Sequence, residues 1–261
     1  MLPAGVLFAV AAGALLAGSA SGPAADLGAL SRLALASSAA FACLALALAL
    51  PGRRSVAEAL GLRRSRLRRG ATVLAAAGLC LLSLSLDRLV DLAGWTDASA
   101  LGRIGRLVAA ATPRQRVLAL VGLALAPAVA EELLFRGALQ RALLLRMPPA
   151  AAIGISALAF GLAHLDPVYV LAATALGLYL GVLAWRADSI RPAVICHLVN
   201  NTVAVLFAGP AAERLEPPAG LLPLVLLLSA GLLAAACRRP DPVLPAGDRA
   251  GEPEPDPRSD R

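Results

Sequence analysis

Apolar residues in this chain fall into long runs, and polar residues gather between them. The runs cover about 3–18, 33–50, 71–86, 117–140, 149–165, 168–185, 192–209 and 220–237. A bilayer's hydrocarbon core of about 30 Å takes roughly 20 apolar helical residues to cross. The pattern therefore predicts an all-α, polytopic membrane bundle of about eight transmembrane helices. A further segment, Leu101, Ile104, Leu107 and Val108, has helical spacing among arginines, and reads as an interfacial helix whose arginines snorkel. After Cys237 the pattern stops: the last residues are rich in proline and carry no apolar period, which predicts a solvated tail.

Composition narrows the class. Of 261 residues, 59% are hydrophobic and 16% charged, against about 25% charged in ordinary soluble domains. This excludes a soluble globular enzyme, a disordered chain, a collagen-like repeat and a disulfide-stapled secreted module. All 24 basic side chains are arginine, a bias that with abundant Ala, Gly and Pro points to a bacterial source. Arginines flanking apolar helices explain the basic balance without a nucleic-acid partner, and two Trp, two Tyr and five Phe are too few for base-stacking surfaces. The four cysteines share no metal-ligand spacing and read as free, buried thiols.

Charge also predicts topology. Arg53, Arg54, Arg63, Arg64, Arg66, Arg68 and Arg69 fall in one loop between the second and third runs, and the positive-inside rule puts that loop in the cytoplasm. Counting spans outward places both termini there, with the first run retained because no basic residue precedes it as in a cleaved signal peptide. The expected location is a bacterial inner membrane. The chain divides into N-terminal transmembrane helices with the Arg-rich loop (1–115), a core carrying the polar residues (116–209), a last transmembrane helix (210–237) and a disordered cytoplasmic tail (238–261).

Ionisable groups inside a membrane span cost a few kcal/mol each and call for a reason. Three runs hold them. The fourth carries Glu131, Glu132 and Arg136, the fifth Phe160 and His164, and the seventh His197, Asn200 and Asn201; the chain has only two histidines. Glu132 and Arg136 are i,i+4 and predict an ion pair. Glu131 points about 100° away, has Phe135 as its same-face neighbour, and is left without a partner on its own helix. His197 and Asn201 share a face at i,i+4, as do Phe160 and His164. Glu131 lies 17 residues before Pro148 and His164 lies 16 after it, so a hairpin at Met147-Pro148-Pro149 sets the two level. His197, five residues past Pro192, sits shallower unless Gln140–Arg146 projects beyond the membrane.

This set reads as a hydrolytic centre. Glu131 would take a proton from water, His164 would orient that water or shuttle its proton, and His197 with Asn201 would donate to the oxyanion. Glu132, Arg136 and Phe160 would support it. Cys196 beside His197 makes no dyad, since adjacent helical residues diverge, and Gly154-x-Ser156 is followed by Ala157 where a rhomboid nucleophile motif has Gly. Asn200 reads as a partner for a neighbouring helix.

The order Glu131-Glu132-x-x-x-Arg136, Phe160-x-x-x-His164, His197-x-x-x-Asn201 resembles the three-motif pattern of the CPBP family (also called Abi), which includes the type II CAAX prenyl endopeptidases, the lysostaphin-resistance-like proteins and bacteriocin-processing or immunity proteins. The resemblance covers about 116–209. It implies an eight-helix intramembrane glutamic-type endopeptidase with catalytic Glu131, His164, His197 and Asn201, acting on a membrane-associated peptide or protein. The family also carries a metalloprotease label. The reading favours no metal, with Zn²⁺ on His164, His197 and Glu131 as the alternative. Two other functions compete: a proton- or cation-coupled transporter, against which no second copy of the polar cluster is found, and a non-catalytic bacteriocin-immunity or scaffold protein that keeps the motifs. A prenylated substrate is not expected in a bacterium; a peptide precursor or a protein with a C-terminal sorting signal is.

Overall fold

The computed structural model describes residues 26–50, 55–208 and 215–238. The run at 3–18, Arg53, Arg54 and residues 239–261 lie outside the described residues. Within them all regular structure is helical, and five helices are long and apolar enough to cross a membrane. The chain is an all-α membrane bundle.

Asp26 caps α1 (Leu27–Ala49), and Ser55 with Glu58 forms a capping box on the short α2 (Val56–Ala59). The long α3 (Arg69–Leu92) follows, then α4 (Ala100–Ala109), strongly amphipathic as expected. Thr112 and Gln115 form a second capping box, with Pro113 at the first turn, where its missing N–H costs nothing. From there one continuous helix, α5, runs to Leu144. Beyond Pro148 come α6 (Pro149–Leu162), α7 (Pro167–Ala187), α8 (Arg191–Leu206) and, after a short 3₁₀ turn, α9 (Leu222–Ala236).

Two expected spans prove shorter. The apolar stretch 149–165 forms a helix of 14 residues and 192–209 one of 16, and at about 1.5 Å per residue neither reaches across 30 Å of hydrocarbon. The first ends because Leu165 turns into the left-handed region (φ 61°) and Asp166 caps α7 through the amides of Val168 and Tyr169. This early turn leaves His164 half-buried at the end of α6. Asp166 also accepts from the amide of Ala100 at 2.8 Å, which fastens amphipathic α4 over the turn.

Helix α5 is the axis of the bundle, packed by α1, α6 and α8. Its winding is not uniform. Leu120–Leu125 and Glu132–Gln140 are π-helical, with an α-helical turn, Ala126–Glu131, between them. Proline at 127 has no N–H and cannot close the α-helical bond onto the carbonyl of Leu123. That oxygen accepts instead from Nδ2 of Asn201 on α8, at 3.3 Å.

The Arg-rich loop is a packed clasp. Asp188, in the left-handed region at the end of α7, bridges Arg66 (2.8 Å) and Arg141 (3.3 Å). Backbone bonds join Arg66 to Ala187 and Ile190 to Gly61, and the Ser189 hydroxyl donates to the carbonyl of Arg63. Gln140–Arg146 does not project as a unit. Gln140 is buried, its amide donating to the carbonyl of Gly181 at 3.0 Å, and Arg141 is held by Asp188. This levels the histidine: with Arg141 beside Asp188, Glu132 and His197 each stand nine residues further into the bundle.

Helices α6 and α7 approach most closely at Gly161. A Cβ built there would stand 2.0 Å from Oγ1 of Thr174 and 2.7 Å from the carbonyl of Val170. Because one obstacle is backbone, Gly161→Ala is expected to cost about 1–3 kcal/mol, the usual range for overpacking, read as a lower midpoint of thermal unfolding in detergent.

Candidate active site

The site is built around one buried ion pair. Nη1 of Arg136 donates to Oε1 of Glu132 at 2.8 Å, and both side chains are fully buried. The guanidinium donates from Nη2 to the carbonyl of Gly177 at 3.1 Å and lies 4.4 Å above the ring of Phe160, a cation–π contact in a dry setting. One turn on, Gln140 repeats the arrangement on Gly181, so Glu132, Arg136 and Gln140 form one polar stripe of α5 against α7. A Cβ at Gly181 would meet Oε1 of Gln140 at 2.8 Å, which is why a small residue stands there.

Oε1 of Glu132 carries a second load. It accepts from Nδ1 of His197 at 3.0 Å. This bond turns Nε2 of His197 toward Glu131, whose Oε2 stands 3.7 Å away. Glu131 thus meets its partner on another helix, and the ion pair positions the histidine that faces it. The i,i+4 pairing of Glu132 with Arg136 was expected; the capture of His197 by Glu132 was not, because nothing in helical spacing relates α5 to α8.

Phe160 connects the groups. Its ring meets those of His197 (5.9 Å), His164 (5.1 Å) and Phe135 (5.4 Å) edge-on, while Arg136 takes its face. His164 bonds through Nδ1 to the carbonyl of Phe160 at 2.9 Å. A carbonyl only accepts, so Nδ1 carries a proton, and in its neutral form the ring has its lone pair at Nε2. Its other face packs on Tyr169 at 4.4 Å. Tyr169 and Gln140 are site residues that sequence reasoning missed. Gln140 is visible as the next i+4 step after Arg136; Tyr169 lies across a turn from His164 and has no spacing signal.

The structure brings Glu131, Glu132, Arg136, Phe160 and His197 together and sets His164 against the same ring. Asn201 is one turn along α8, tied to Leu123, with Asn200 reaching its Oδ1 at 3.5 Å. Cys196 is buried with its thiol toward the carbonyl of Thr72, and Ser156 donates to the carbonyl of Phe135; neither side chain joins the cluster. As for Zn²⁺, no three His, Cys, Asp or Glu side chains among the described residues come near enough to hold an ion.

Residues 113–203 match the sequence model of the Rce1-like family, the type II CAAX prenyl endopeptidases. The match covers about a third of the chain, from α5 into α8, and all seven residues of the motif pattern fall inside it. No curated protein and no solved structure matches the chain.

Removing one partner of a buried pair strands the other's charge and costs about 3–5 kcal/mol, whereas removing both is far milder. Glu132→Gln and Arg136→Met are each expected to lower thermal stability strongly. The double variant should recover part of the loss, as a double-mutant cycle in detergent would show.

Proposed function

We propose that the chain is a glutamic-type intramembrane endopeptidase that cuts a peptide bond in a membrane-associated peptide or protein with a water activated by Glu131. The observation that carries this reading is Oε2 of Glu131 held 3.7 Å from Nε2 of a histidine fixed by Glu132. A carboxylate and an imidazole at this separation can share the proton of a reacting water.

In this mechanism Glu131 takes a proton as the water oxygen adds to the scissile carbonyl carbon. His164, with its Nε2 lone pair, orients the water. Asn201 through its second amide hydrogen donates to the oxyanion, joined by Nε2 of His197 when both nitrogens of that ring carry a proton. The C–N bond then breaks and the proton held by Glu131 passes to the leaving amine. No step runs through a metal. Glu132, Arg136 and Phe160 touch no substrate and act by positioning His197 and His164. The site works in a bilayer and engages no nucleic acid. An apolar bundle excludes bulk water, and there fixed donors act most strongly.

The test compares wild-type and Glu131→Gln protein in nanodiscs against a library of membrane-tethered peptides, read by mass spectrometry with and without chelator. Wild type should cleave, Glu131→Gln should not, and chelator should change nothing. Asn201→Ala should lower kcat about 10²–10³-fold, as expected for one lost oxyanion donor. Activity lost on chelation and restored by Zn²⁺ would overturn the mechanism. A phenotype unchanged in Glu131→Gln would favour a scaffold.

A further inference from the structure

Beside the candidate active site is a cavity of about 820 Å³, at the end of the bundle away from the Arg-rich clasp. It lies between the second halves of α3 and α8, with α4 along one wall and residues 215–218 along another. Leu123 and Asn201, the pair joined by the carbonyl that Pro127 leaves open, both line it. One wall of the cavity is therefore the residue proposed to hold the oxyanion.

Its charges do not balance. The lining holds Asp87, Asp91, Asp97 and Glu216 against Arg88 and Arg106. Both arginines are spoken for: Arg88 pairs with Asp91 and lies 3.8 Å from Glu216, and Arg106 pairs with Asp97 at 2.8 Å. Asp87 makes no hydrogen bond or ion pair among the described residues, although it is half-buried and faces the cavity. A recessed carboxylate without a partner is costly, and a ligand bearing the opposite charge removes that cost.

We propose that this cavity binds a lysine or arginine side chain of the substrate, with Asp87 as its counter-ion, and so selects peptides carrying a basic residue near the cut. The proposal rests on the endopeptidase reading only in calling the ligand a substrate. The volume suits an extended peptide segment of a few residues. The wall's two arginines, each already neutralised, leave the opening attractive to cations. An acidic side chain would face uncompensated repulsion from Asp87.

The test measures binding, not cleavage. Full-length Glu131→Gln protein in nanodiscs is titrated with fluorescein-labelled, alanine-rich octapeptides that differ only in a central Lys, Gln or Glu, read by anisotropy. A charge-assisted bond predicts that the Lys peptide binds about tenfold more tightly than the Gln peptide, with the Glu peptide weakest. Adding Asp87→Asn should abolish the preference, and Asp87→Glu should keep it. Acetylating the probe's lysine, which needs no change in the protein, should cost the same tenfold. Equal affinities for Lys, acetyl-lysine and Gln peptides, or a Lys preference that survives Asp87→Asn, would overturn the proposal. Because the readout needs no hydrolysis, absent cleavage in the nanodisc assay leaves it intact, and equal affinities here leave the glutamate mechanism standing.

Discussion

The buried Glu132–Arg136 pair is the constraint on which the centre depends. Neither charge can stay in an apolar bundle alone, so each recruits every neighbour within reach: the carbonyl of Gly177 and the face of Phe160 for the guanidinium, Nδ1 of His197 for the carboxylate. In meeting those needs the pair joins four helices, α5, α6, α7 and α8. Replacing such a pair by apolar residues often costs little in stability. What the pair supplies here is direction, since the bond to Glu132 fixes which nitrogen of His197 faces Glu131.

Much of this was legible in the residues. The apolar runs marked the helices, the i,i+4 spacing marked the ion pair, and two histidines among so many aliphatic residues marked the site. The limits were physical. Helical spacing relates residues on one helix, so it found Glu132 with Arg136 but not Glu132 with His197. Apolar length overstated the fifth and seventh spans, because the left-handed turn at Leu165 and the cap at Asp166 end α6 while the sequence is still apolar. Tyr169 was invisible for the same reason: its contact with His164 is made across that turn.

The Arg-rich loop shows how one sequence feature serves two levels. Its charge carries the expectation about sidedness, while its geometry comes from Asp188, which gathers arginines from both the loop and the end of α5. This clasp sets the height of α5 against α8. Because Arg141 and Asp188 are level, residues at equal distance from them meet inside the bundle. The depth of the histidine is thus fixed at the polar end of the structure and expressed at its centre.

The two π-helical segments of α5 have a consequence for inheritance. A stretch that holds five residues where an α turn would hold fewer is a lodged insertion, and losing one residue would let it relax to ordinary winding. A residue lost from Leu120–Leu125 would leave the turns beyond it facing as before, whereas one lost from the α-helical turn Ala126–Glu131 would rotate everything beyond by about 100°: Glu132 would leave His197, Arg136 would leave Phe160 and Gln140 would leave Gly181. The apolar side chains of this helix can drift in type, but the residue count of that turn is fixed. Gaps among such proteins should therefore fall in Leu120–Leu125 and spare Ala126–Glu131.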